Sequence, residues 1–202
     1  MKVIRKDSCV SQVIEKLKSG EIICFPTDTL YGLLGSPLIP GTLEKVFKIK
    51  SRDRNKPLIL LFDSVERMRE LGIEVKYEEV FRSLWPAPLT VVFPLRQNGI
   101  LFSLLKRKDV AVRIPKDEIL LKILKETAPL FAPSANPQGL EPAKNCLECY
   151  NYFGNQISLC VEGDCGRKPS TVIKLTPEGW KVLREGAFPV SKLKEVLPCR
   201  KE

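Results

Sequence analysis

Apolar residues recur along this chain with two different periods. Val10, Val13, Ile14 and Leu17 are three and four positions apart, which places them on one face of a helix. Ser8 is positioned to cap that helix and Gly20 to end it. Residues 21–25 then read as a buried strand. Helical spacing returns over 42–50, where Leu43, Val46, Phe47 and Lys50 share a stripe, and 58–62 is an unbroken apolar strand. Helices are predicted over 64–71 and 78–84, before Trp85-Pro-Ala-Pro88 breaks the chain. Strands follow at 89–95 and 110–114, a helix at 117–126, and a short extended piece at 130–133. A helix over 143–153, strands over 157–161, 171–175 and 180–183, and a last helix over 190–197 complete the pattern. This alternation predicts a mixed α/β fold whose sheet is covered on both faces, at least in part. Nothing resembles a linker or repeat, so a single domain over 1–202 is expected.

Hydroxyls and cations gather where these elements end. Phe25-Pro-Thr-Asp-Thr-Leu-Tyr-Gly32 leaves the second apolar run, and Lys50-Ser-Arg52 and Lys56-Pro-Leu58 follow the 42–50 helix. Pro133-Ser-Ala-Asn136 follows a short strand, Arg113 ends another, and Ser170, Thr171 and Arg184 flank the last two. Ends of strands are where layered α/β proteins place ligand groups. Arginine holds phosphate or carboxylate in a two-pronged fork, whereas lysine offers a mobile point charge. The set suits a polyphosphate together with a small polar substrate. Neither a Walker-type phosphate loop nor a G-x-G-x-x-G turn is present. Gly163-Asp-Cys-Gly-Arg-Lys-Pro-Ser-Thr171 imitates the former, but its Pro169 and its position before a strand argue against it. It is read instead as a basic loop that touches a ligand through Ser170.

Composition narrows the chemistry. Thirty-three Lys and Arg stand against 24 Asp and Glu, a net charge of +9 that favours an anionic partner such as a nucleotide, phosphate or RNA. The chain has no histidine, so Ser-His-Asp hydrolysis, imidazole proton shuttling and His-ligated metals are excluded. No apolar run has the length of a membrane span and the N-terminus lacks a signal-peptide core, so no membrane association and a cytoplasmic location are expected. Seven cysteines are present. Cys9, Cys24 and Cys199 look isolated, while Cys146, Cys149, Cys160 and Cys165 could hold a zinc ion, pair as two disulfides, or remain plain thiols, the expected state.

Taken together, these motifs resemble the YrdC-type L-threonylcarbamoyladenylate synthase family in its single-domain form. Pro26-Thr-Asp-Thr-Leu-Tyr-Gly32 is similar to its Pro-Thr-[Asp/Glu]-Thr-x-Tyr-Gly signature. Lys50-x-Arg52 and Ser134-x-Asn136 are similar to its K-x-R and S-x-N motifs. Val112-Arg-Ile-Pro115, Pro169-Ser-Thr-Val172 and Leu183-Arg-Glu-Gly186 also fit, in the family's order. The resemblance implies a twisted mixed sheet with a large basic concave cavity. It also implies synthesis of threonylcarbamoyl-AMP from L-threonine, bicarbonate and ATP, with pyrophosphate released, as the first step of a tRNA modification. On that pattern Thr29, Arg113 and Ser170 contact L-threonine. Arg52, Lys56, Ser134, Asn136 and Arg184 contact ATP, and Lys50 and Arg52 carry catalysis. No metal is held by the protein, since Mg²⁺ rides on the ATP phosphates. A tRNA contact and hand-off of the product to a threonylcarbamoyl transferase are the implied partners.

Three departures stand out. Leu61 occupies a position where many relatives have histidine, Pro86-Ala-Pro-Leu-Thr90 replaces a Pro-Gly-Pro-x-Thr motif, and the C-terminal domain of longer relatives is missing, which leaves the basic tail 199–202 as a possible lid. Two other functions compete. An RNA-binding module is disfavoured by dispersed cations and the lack of an aromatic stacking strip. A carbamoyl phosphate-dependent enzyme of hydrogenase maturation is disfavoured by the absence of fused accessory domains.

Overall fold

The computed structural model describes residues 1–51, 53 and 57–197. In chain order it contains β1 (Lys2–Arg5), α1 (Val10–Lys18), β2 (Ile23–Pro26), β3 (Tyr31–Leu34), α2 (Thr42–Ile49), β4 (Ile59–Leu61), α3 (Val65–Glu70), α4 (Glu78–Leu84) and β5 (Leu89–Pro94). Then come α5 (Ile100–Leu105), β6 (Asp109–Arg113), α6 (Glu118–Thr127), β7 (Leu130–Phe131), α7 (Cys146–Phe153), β8 (Leu159–Glu162), β9 (Thr171–Thr176), β10 (Gly179–Arg184) and α8 (Val190–Val196).

The strands divide between two mixed sheets. One has the order β1-β8-β2-β3, the other β10-β9-β5-β6-β4-β7. In the first, β8 runs parallel to both β1 and β2, and β2 and β3 form an antiparallel pair. The sheets meet where Gly32 bridges to Ser134 and Gly35 to Phe131. That junction matters because the Thr27–Thr29 turn and the Ser134 segment both lie beside it.

Side-chain alternation explains how one strand serves two cores. Along β2, Ile23 and Phe25 join a cluster with Val13 and Leu17 of α1 and Leu120, Ile123 and Leu124 of α6. Cys24 points the other way, into the larger cluster that holds Phe81, Phe93, Phe131 and Phe153. Both faces of β2 are therefore apolar, which is why it reads as a continuous run.

Helix starts follow capping chemistry. The side chains of Ser64, Asp117 and Asn145 accept the backbone N–H of Arg67, Leu120 and Glu148, respectively. Ser8 does not cap α1 as expected. It lies in a short 3₁₀ turn and its hydroxyl donates to the Arg5 carbonyl, so Cys9 takes the N-cap without a side-chain bond. Gly20 follows α1 with φ +77°, a conformation that glycine adopts without steric cost. Three elements were missed. β1 is mostly exposed and carries charges, β3 lies within the hydroxyl-rich turn motif, and α5 is under two turns long.

The cysteines depart from expectation. Cys24 is not isolated, and Cys165 is not part of the cluster. The sulfurs stand as two close pairs, Cys24–Cys149 and Cys146–Cys160, rather than as separate plain thiols, while Cys9 and Cys165 are free. The inward alternation of β2 brings Cys24 under α7.

Candidate functional site

The site is built at the β2–β3 turn. Thr27 shapes it: its hydroxyl donates to the Leu30 carbonyl at 2.8 Å and accepts the N–H of Thr29 at 3.1 Å and of Leu30 at 3.3 Å. The Thr29 hydroxyl lies 3.0 Å from that of Thr27. Tyr31 is fully buried, and its hydroxyl donates to the Gly163 carbonyl at 3.0 Å, which ties the turn to the end of β8.

Arg113 ends β6 and reaches this turn from the other sheet. Its Nη1 donates to the Thr29 hydroxyl at 2.9 Å and forms an ion pair with Asp28 at 3.0 Å. The second Asp28 oxygen accepts the Lys116 N–H at 3.0 Å. Arg113 is 4% exposed, and burial pulls its pKa down while Asp28 opposes that shift. A guanidinium starts so high that it stays protonated. Its Nε is buried without a hydrogen-bond partner. A buried donor without a partner costs about 1–3 kcal/mol, a cost that an anionic ligand would remove.

Ser170 and Arg184 form the opposite wall. Arg184 at the end of β10 donates through Nε and Nη2 to the Ser170 carbonyl at 3.1 and 2.9 Å, and through Nη2 to its hydroxyl at 3.1 Å. Burial lowers its pKa also. The Ser170 hydroxyl lies 2.8 Å from that of Thr90, fully buried on β5. Thr90 stands behind Ser170 rather than in the cavity wall, a supporting contact the motif search did not assign although Thr90 closes Pro86-Ala-Pro-Leu-Thr90.

Two glycines allow these segments to close in. A Cβ on Gly166 would lie 2.3 Å from the Asp28 carbonyl oxygen, and one on Gly186 would lie 2.2 Å from that of Pro169. Any larger residue would push the 163–170 loop off the turn.

Lys50 differs from the exposed cation expected at a helix end. It is 2% exposed, and its ammonium donates to the backbone carbonyls of Ser134 and Asn136. It shares the inward stripe of α2, so its stem is carried under the Ser134–Asn136 turn. Within that turn the Ser134 hydroxyl donates to the Asn136 side-chain oxygen at 2.5 Å.

One cavity of about 280 Å³ is walled by Thr29, Arg113, Ser134, Ser170 and Arg184, with Thr27 and Tyr31 beside them. These five predicted residues thus come together from distant parts of the chain. Lys50 and Asn136 lie behind Ser134 rather than in the wall. Arg52 and Lys56 lie outside the described residues, as does the tail 199–202, while Pro57 and Leu58 line the cavity. Leu61 is fully buried in the core and not in the cavity wall.

Comparison with known proteins shows what the chain as a whole is similar to. The family model for Sua5, YciO and YrdC proteins, described as telomere recombination, matches residues 15–186. A threonylcarbamoyl-AMP synthase of Pyrococcus abyssi is 31% identical over 90% of this chain, which spans 55% of that protein's length. One from Photobacterium profundum is 28% identical over 88% of the chain and 98% of its own length. The crystal structure of P. abyssi Sua5 complexed with L-threonine superposes with a TM-score of 0.86 at 28% identity, covering 97% of this chain and 61% of that one. With a family match that runs from within α1 to Gly186 and so takes in every wall of the cavity, this chain belongs to the Sua5/YciO/YrdC family.

Proposed function

We propose that the chain synthesises L-threonylcarbamoyl-AMP from L-threonine, bicarbonate and ATP, releasing pyrophosphate, as the first step of tRNA threonylcarbamoyladenosine formation. The observation that carries this reading is the single cavity shared by Thr29, Arg113, Ser134, Ser170 and Arg184 in a member of this family. Its charged wall residues, among those described, are the two arginines, of which Arg113 is paired with Asp28.

Addition of the threonine amine to bicarbonate, with loss of water, gives a carbamate. A carbamate oxygen then attacks the α-phosphorus, and the bond to the pyrophosphate leaving group breaks. Both reactants are anionic, so the protein's task is to hold repelling charges together and steady the leaving group. Arg113 takes the threonine carboxylate, with Thr29 and Ser170 hydrogen-bonding the amino acid. Arg184 and Ser134 face the phosphates, and the sequence pattern gives Arg52 and Lys56 the same task. Lys50 and Asn136 position the Ser134 turn. No protein nucleophile is needed, which suits a chain without histidine.

The described cavity wall holds no carboxylate, and Asp28 is committed to Arg113 and the Lys116 N–H. The described wall residues therefore offer no carboxylate to a Mg²⁺ ion, and the ion is assigned to the nucleotide as part of MgATP. The adenylate is unstable and passes to a separate threonylcarbamoyl transferase acting on tRNA, in the cytoplasm. Mass spectrometry of the nucleotide product tests the reading. A threonylcarbamoyl-AMP mass carrying label from bicarbonate supports it, whereas a carbamoyl-adenylate formed only from carbamoyl phosphate refutes it.

A further inference from the structure

Cys24, Cys149 and Cys160 gather at one place in the core, with Cys146 beside Cys160, and none of the four lines the hydroxyl and arginine cavity. Cys24 and Cys160 stand directly opposite each other across the parallel β2–β8 pair. Cys146 and Cys149 are three apart on α7, so both face the same side of the helix. All four are no more than 3% exposed. The sulfurs of Cys24, Cys149 and Cys160 lie within 4.8 Å of one another, and that of Cys146 adjoins Cys160.

We propose that these four side chains form a closed four-thiolate site for one soft divalent cation of the zinc type. Two disulfides need two sulfur pairs but give no reason for the pairs to meet. A tetrahedral ion needs that meeting: with zinc–sulfur bonds of about 2.3 Å, neighbouring sulfurs are about 3.8 Å apart. The Cα atoms of Cys24 and Cys149 are 6.9 Å apart, beyond the usual disulfide span of about 4.4–6.8 Å. The donor set contains no oxygen or imidazole, which selects zinc over magnesium, calcium or manganese. Cys146 opens α7, where the helix dipole favours the thiolate form. On binding, four S–H bonds break, four metal–sulfur bonds form and four protons leave for solvent, and no electron moves. Four protein ligands leave no open position, so the role is structural. The ion would clamp α7 onto the two strands that lead into the Thr27–Thr29 turn and to Gly163.

The test uses the full chain purified anaerobically without added reductant or chelator. Elemental analysis should find one equivalent of zinc. Exchange with Co²⁺ should give the visible bands of tetrahedral cobalt and intense sulfur-to-metal charge transfer. Metal should be lost in Cys146→Ser/Cys149→Ser and retained in Cys165→Ser. If the double variant does not fold, the cobalt spectrum of the unaltered chain still decides, because four sulfur ligands have a distinct signature. A metal-free chain lighter by four hydrogens, with Cys24–Cys149 and Cys146–Cys160 linked peptides, overturns the proposal. So do four freely alkylated thiols without metal, or metal retained in the double variant.

Discussion

Replacing Arg113 perturbs two things at once, and the structure allows them to be separated. Arg113→Ala removes the proposed carboxylate fork, but it also strands Asp28, whose side chain is 7% exposed. Breaking a buried pair from one side costs about 3–5 kcal/mol, which in a chain of this size lowers Tm by roughly 10 °C. Arg113→Lys keeps a positive charge beside Asp28 and loses the fork. Its stability should fall by only about 1 kcal/mol, one ordinary hydrogen bond such as that to Thr29. A charge-assisted contact to threonine is worth about 1.5–3 kcal/mol, so KM for threonine should rise by about tenfold to a hundredfold. The kcat should change little, because the carboxylate keeps its charge throughout the reaction. The assay is pyrophosphate release at saturating ATP and bicarbonate with threonine varied, paired with thermal unfolding. Unchanged threonine use with a raised KM for ATP would place Arg113 on the wrong substrate. Unaltered kinetics with lowered Tm would reduce the residue to a structural ion pair.

Other positions give independent checks. Lys50→Met should lower stability by about 2–3 kcal/mol and weaken ATP use, since the Ser134 and Asn136 carbonyls lose a charged donor; denaturant unfolding measures the first and KM for ATP the second. Thr90→Val should raise KM for threonine by about tenfold while costing about 1 kcal/mol in stability, because the Ser170 hydroxyl loses its Thr90 contact and keeps only that from Arg184. Gly166→Ala should cut kcat/KM sharply with secondary structure intact by circular dichroism, because its methyl would collide with the Asp28 and Thr29 carbonyls.

Much of the fold was legible because burial imposes periodicity. The α2 stripe of Leu43, Val46 and Phe47 was visible, and α4 begins and ends at the residues expected. The same stripe contained Lys50 and so already signalled its burial, which attention to its charge obscured. β1 escaped because a mostly exposed edge strand has no apolar run, and β3 because its residues also read as turn chemistry. Within the site, the hydroxyls and arginines were found from their positions at element ends. Their pairing was not, because Asp28 with Arg113 and Thr90 with Ser170 meet only through sheet topology. Three of the clustered cysteines, Cys146, Cys149 and Cys160, stood out by their spacing in sequence, whereas Cys24 enters only through the register of β2 against β8.

The central claim is that one cavity couples an amino acid, bicarbonate and ATP without RNA. The direct measurement is pyrophosphate release by the purified chain with each component omitted in turn. Release should require ATP, L-threonine and bicarbonate together and be unaffected by leaving out tRNA. Release that proceeds without threonine, that needs carbamoyl phosphate, or that depends on RNA would contradict the account.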